Sequence, residues 1–378
     1  MHPRKPRLPF ANAWFFPAAA LYAAVMLPVS VLGMLGLMPT LPGLATPGGH
    51  AHEMLFGFAL AVVAGYLLGP QPRAITLALL VAWALARIAF LLWPGSLPAI
   101  LMAGTFAAGL VWRVVPRFLG AAKKWRNQSV APLVTGLALA STLGGLGAST
   151  GAWLRGEALL LLAALMFFMG GRIIAPALAG HAQQQGWRLD ARVQPRIEGT
   201  VLILLGTALV LGLLPWELPE RVGGACLVAA GLLTGMRLLR WRPWRCLNRP
   251  DLLVLLAGYA WLAVGLLAMG VPTSLGSPVP SALLHALTVG ALGTLTFAVM
   301  GRTRLIQRWR DPNARGWIHP FAAFISLAAL ARIVPALLGA PMTGWLLLAA
   351  AAWSVAFLAL TTLFWHLRGD DRRLDPGD

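Results

Sequence analysis

Apolar stretches of near-membrane length alternate with short polar or basic segments along the whole chain. They fall near 14–38, 50–69, 74–92, 97–115, 129–148, 155–179, 198–214, 220–240, 250–270, 280–300, 317–339 and 343–366. A helix needs about 20 apolar residues to cross a hydrocarbon core of roughly 30 Å, and every stretch comes close to that length. Gly and Pro recur inside them, which membrane helices tolerate because neighbouring helices re-satisfy the freed backbone groups. The pattern predicts an all-α membrane protein, a bundle of about twelve transmembrane helices. Residues 1–378 then form one polytopic transmembrane domain, with a basic tail at 1–13 and a second tail at 367–378. The first stretch is too long for the core of a cleavable signal and is expected to be the first helix.

Composition narrows this further. The chain is 58% hydrophobic and only 11% charged, against about 25% charged in soluble domains. No sizeable soluble domain is expected. The formal net charge of +18 would suit nucleic acid if it were clustered on a soluble face, but it is not. Counted from a cytoplasmic N-terminus, 26 of the 30 Lys and Arg fall in the segments 1–13, 70–73, 113–126, 172–196, 237–249, 302–315 and 368–373. Those segments all lie on one side of a twelve-helix topology. Such a bias puts both termini in the cytoplasm, as expected for a multi-pass protein of a bacterial inner membrane. Membrane lipids are the expected surroundings, and nucleic acid is not a partner. Trp14, Trp93, Trp112, Trp125, Trp153, Trp216, Trp241 and Trp317 fall near stretch ends, where an amphipathic ring prefers the interface. Cys226 and Cys246 are too far apart along one helix and its end for a disulfide.

The candidate chemistry opens the second stretch, Gly48-Gly49-His50-Ala51-His52-Glu53-Met54-Leu55-Phe56-Gly57-Phe58. Ionisable groups at a membrane helix end are costly and mark a site by default. Histidine and methionine together suit a soft metal or a haem iron. By the topology above, His50, His52 and Glu53 lie at the outer face. His285 lies about one turn into the tenth stretch from that same face, and Arg87 and Arg332 lie in the outer halves of the third and eleventh. Imidazoles from two helices at one depth can grip a flat macrocycle, with Arg87 and Arg332 pairing its anionic arms. Alternatively His50, His52 and Met54 bind Cu(I). Positions 50 and 52 point about 200° apart on a regular helix. They share an ion only if His50 sits in the preceding turn; if both are helical, they serve different sites.

Plainer roles compete with each of these. Arg87 is close enough to its helix end to snorkel, and Glu53 suits the positive end of its helix. Gly290 and Gly293 permit close helix packing, and Thr288, one turn from His285, can bond a ligand or the backbone. His2, His181, His319 and His366 lie at the inner side among arginines and are expected to be solvated or interfacial. No P-loop, dinucleotide fingerprint or nucleophile elbow is present.

The segment His50 to Phe58, followed by Ala64-Gly65-Tyr66-Leu67-Leu68, resembles the NnrS family. So does His285-Ala286-Leu287-Thr288-Val289-Gly290 with Met300-Gly301-Arg302. Gly170-Gly171-Arg172-Ile173-Ile174, Gly258-Tyr259-Ala260-Trp261 and Arg126-Asn127 add to the likeness. The resemblance implies a twelve-helix membrane protein that carries haem and copper and is linked to nitric oxide metabolism. The chain departs from the family at two histidine positions on the inner side, where Leu256 and Ala257 stand in one case and Gln307 in the other. Asn12-Ala13-Trp14-Phe15-Phe16 replaces the family's usual start. An outer site is therefore expected to persist and an inner one to be lost or altered. Haem-copper oxidases are a looser likeness, since they too hold a haem between histidines of helices 2 and 10.

Three functions compete. The first is a haem- or copper-binding protein that handles nitric oxide or protects against nitrosative stress. The second is a secondary transporter or delivery protein for copper or haem, a reading favoured by the prolines Pro17 and Pro28 of the first stretch, since broken helices build transport sites. The third is an assembly factor for respiratory complexes.

Overall fold

The computed structural model describes residues 8–121, 125–145 and 148–371. Among them the chain forms twelve principal helices: α1 (Asn12–Met34), α2 (Pro47–Leu67), α3 (Arg73–Leu92), α4 (Leu97–Ala121), α5 (Val130–Leu143), α6 (Ala148–Gln184), α7 (Pro195–Gly212), α8 (Glu217–Arg240), α9 (Pro250–Ser274), α10 (Ser281–Trp309), α11 (Gly316–Leu337) and α12 (Met342–Asp371). Eleven are long and apolar enough to cross a membrane. The exception, α5, has 14 residues, or about 21 Å of helix. A short helical turn at Trp125–Gln128 extends it. The expected boundary between the fifth and sixth helices moves: Gly144-Gly145 ends α5 early, and α6 begins at Ala148 rather than near 155. Most of the expected tails lie outside the described residues.

Consecutive helices pack against each other, and α12 closes on α1. The most buried spans are α2, α6 and α10, with α6 touching both of the others. The helices that bear His50, His52 and His285 are therefore interior ones. Large apolar side chains such as Leu97, Ile203, Val210 and Leu232 point outward, as a surface solvated by lipid requires. Of the tryptophans expected at the interface, Trp241 is instead fully buried, while the other seven are exposed.

Two irregularities position the site, and neither is a proline. Pro17 and Pro28 lie inside α1, yet the helix runs on to Met34. The breaks come in α2 and α10. In α2, six residues of α-helix (Pro47–His52) give way to a π-helix over Glu53–Ala59 and then α-helix again. In α10, α-helix over Ser281–His285 gives way to a π-helix over Ala286–Gly293. Each π segment begins immediately after a histidine. Widened turns of this kind recur at functional sites, because they re-aim the side chains on either side. Rings press on the glycines within them. A Cβ on Gly290 would lie 2.5 Å from Trp261, one on Gly293 2.6 Å from Trp353, and one on Gly57 2.7 Å from Tyr22.

Candidate functional site

Thr46 caps α2, accepting from the Gly49 amide at 3.1 Å, with Pro47 at the first helical position. The helix thus starts before His50, so His50 and His52 are both helical and point to opposite sides. They enter two separate clusters.

On one side, His50 lies within electrostatic reach of His285 and Arg332. The Nδ1 atom of His50 is buried and has no hydrogen-bond partner. The Nδ1 atom of His285 donates to the Ser281 carbonyl at 2.7 Å, one turn back in α10. This bond fixes the tautomer and leaves Nε2 with a free lone pair, the arrangement seen in metal-ligating histidines. Arg332 reaches that nitrogen through Nε at 3.4 Å, a long and weak contact. Arg332 acts electrostatically on both imidazoles, and these act on each other. No carboxylate among the described residues pairs with Arg332.

On the other side, carboxylate and guanidinium answer each other, although Arg87 Nε stays buried without a partner. Glu53 is fully buried and accepts from Arg87 Nη1 at 2.7 Å and His52 Nδ1 at 3.1 Å through one oxygen, and from the Tyr22 hydroxyl through the other. The His52 ring stacks on Phe90, with centroids 3.6 Å apart and planes 8° from parallel. Trp83 packs edge-on to Tyr22 and donates from Nε1 to the Gly57 carbonyl at 2.9 Å. Arg87, expected to serve an anionic cofactor arm, spends its charge on Glu53 and does not snorkel. Arg155 completes this side of the helix mouth, its guanidinium 3.0 Å from where a Cβ would stand on Gly48 and on Gly151.

The expected ligand set therefore splits: His50, His285 and Arg332 come together, while His52, Glu53 and Arg87 form a cluster of their own. Met54 is half-buried and packs against the apolar core. Thr288 donates to the Leu284 carbonyl at 3.1 Å, so its hydroxyl proton is used within its own helix. Among the described residues no group of three or more His, Cys, Asp or Glu side chains is set out to hold a metal. Tyr22 and Ser281 were not anticipated from sequence. Tyr22 is one of only three tyrosines in the chain, and the need of a buried carboxylate for donors was the available signal. Nothing in the sequence marks the Ser281 carbonyl.

The family model for NnrS proteins matches residues 9–370. The chain belongs to the NnrS family. A comparison with curated proteins finds no match.

In this NnrS protein the opposite, arginine-rich end is built differently. Asp251 is buried and accepts from Arg249 at 2.9 and 3.1 Å, from Asn313 at 3.1 Å, and from Arg302 of the Met300-Gly301-Arg302 segment. Leu256 is buried, and Gln307 accepts from Arg304 at 3.2 Å, so neither position offers an imidazole. Of the histidines expected to be solvated or interfacial, His181 and His319 are buried and so not solvated, whereas His366 is exposed. His2 lies outside the described residues.

Proposed function

We propose that His50 and His285 hold a haem at the mouth of α2 and α10, and that this NnrS protein captures nitric oxide there, in the inner membrane of a bacterium. The observation that carries this reading is the pair of under-used imidazoles beside an unpaired cation. Two ligands suffice for a haem, because the macrocycle brings four nitrogens of its own. An anionic arm of that macrocycle would supply the counter-charge that Arg332 lacks. Copper is the second reading for the same nitrogens, since Cu(I) accepts imidazole. It matches less well, because a bare cation there would face the Arg332 guanidinium.

When bound, the group would supply an iron at which a small apolar gas could coordinate once one of the two imidazoles gave up its position. The protein's own residues do the rest. Ser281 holds His285 in one tautomer, and Arg332 is placed to pair with an anion. Transport of copper or haem draws less support. Its cue was a proline-broken α1, and α1 runs unbroken; the under-paired groups also sit at one end of the bundle rather than its middle.

The test is the visible spectrum of the purified protein. A Soret band that shifts with nitric oxide is expected, and His285→Ala should abolish it. A band that survives in both His50→Ala and His285→Ala overturns the assignment. A colourless protein that binds copper moves the function to copper delivery.

A further inference from the structure

We propose that the cavity at the arginine-rich end of α6 binds the headgroup of an anionic phospholipid. The cavity measures about 570 Å³ and lies where α6 ends and the chain turns back toward α7. Its walls include Gln183 from the last turn of α6 and Trp187, Arg188, Arg192 and Val193 from the turn. That volume falls within the roughly 300–1,000 Å³ typical of small-ligand sites. Arg188 and Arg192 are exposed, and among the described residues neither forms an ion pair. Asp190 shares the wall and offsets one charge. Arg245 adds a third cation at the side, its guanidinium 4.9 Å from the centre of the Trp187 ring. Paired guanidinium groups match the oxygens of a phosphate.

The topology rule accounts for arginines at this end of the bundle, but not for their arrangement around a hollow. The choice of a lipid over a soluble phosphate compound rests on the adjoining surface. Val193 is 66% exposed on the cavity wall, and α7 continues outward-facing with Ile203 and Val210, each 60% exposed. Those two are seven residues apart and share one helix face, giving an acyl chain an apolar track away from the phosphate. Basic pockets beside transmembrane helices take anionic headgroups in this way.

The test is native mass spectrometry of the purified full-length protein with phosphatidylglycerol, with phosphatidylcholine of the same chains, with glycerol phosphate and with inorganic phosphate. Phosphatidylglycerol should be retained and phosphatidylcholine should not. R188Q/R192Q should weaken retention roughly 25-fold, at about fivefold per basic residue near a membrane surface. Val193→Asp, which adds an anion to the wall and keeps both arginines, should also weaken it. Arg73→Gln, an exposed arginine at the start of α3 and outside the cavity wall, should not. Equal retention by wild type and R188Q/R192Q overturns the site, as does an equal loss in Arg73→Gln. Glycerol phosphate or inorganic phosphate binding as tightly as the lipid reassigns the cavity to a soluble anion and overturns the lipid.

Discussion

His50 and His52 stand two residues apart on one helix and live in opposite chemical conditions. His52 sits between a matched carboxylate and a stacked phenyl ring, in a cluster where Glu53 answers Arg87, Tyr22 and His52 at once. His50 keeps a buried nitrogen with no partner, and Arg332 beside it has no counter-charge. A buried polar group left unpaired costs about 1–3 kcal/mol. The protein bears that cost at the His50 imidazole on one face of α2; on the other, Arg87 Nε also lacks a partner, but within a guanidinium already paired with Glu53. The satisfied face holds the helix mouth in place; the unsatisfied face is where a ligand has something to gain. The Asp251 cluster at the far end, with its carboxylate saturated by Arg249, Arg302 and Asn313, belongs with the satisfied kind.

The comparison can be broken by substitution. Glu53→Gln should have the largest effect on stability. It leaves Arg87 charged and buried without its partner, which costs about 3–5 kcal/mol. Thermal unfolding in detergent reads this, and a loss under about 1 kcal/mol would mean that the cluster does not anchor the mouth. Next, the two histidines should separate. His52→Ala gives up a ring stack and a charge-assisted hydrogen bond and should cost about 2–4 kcal/mol. His50→Ala should cost little stability yet, on the proposed haem assignment, remove the Soret band. If His52→Ala leaves the melting temperature unchanged and His50→Ala lowers it, the two faces have been assigned the wrong way round. Gly57→Ala should be smaller, about 1–3 kcal/mol from overpacking, because its Cβ would meet Tyr22 at 2.7 Å and Glu53 Oε2 at 3.1 Å. An unchanged melting temperature there would show that the π segment yields without loss.

Much of the bundle could be read directly from the chain. Helix positions followed from runs of apolar residues, because a hydrocarbon core leaves the backbone no alternative to helix. That His50, His52, His285, Arg87 and Arg332 lie toward one end of the bundle followed from counting helices. What could not be read was the pairing. A strict 3.6-residue period carries no sign of the π segments at Glu53–Ala59 and Ala286–Gly293, which shift the facing of everything beyond them. The prolines of α1 looked like the break, and the glycine-bearing turns under Tyr22, Trp261 and Trp353 were the break instead.

By itself the sequence determined an all-helical membrane bundle, membership of the NnrS family and the shared end of His50, His52 and His285. Each of these depends on local hydrophobicity and on order along the chain. Only the tertiary structure decided that His50 belongs with His285 and Arg332 while His52 belongs with Glu53, Arg87 and Tyr22. Partner choice depends on which helices touch and at what rotation. Those are set by side chains hundreds of residues apart, packed against α6 in the middle of the bundle.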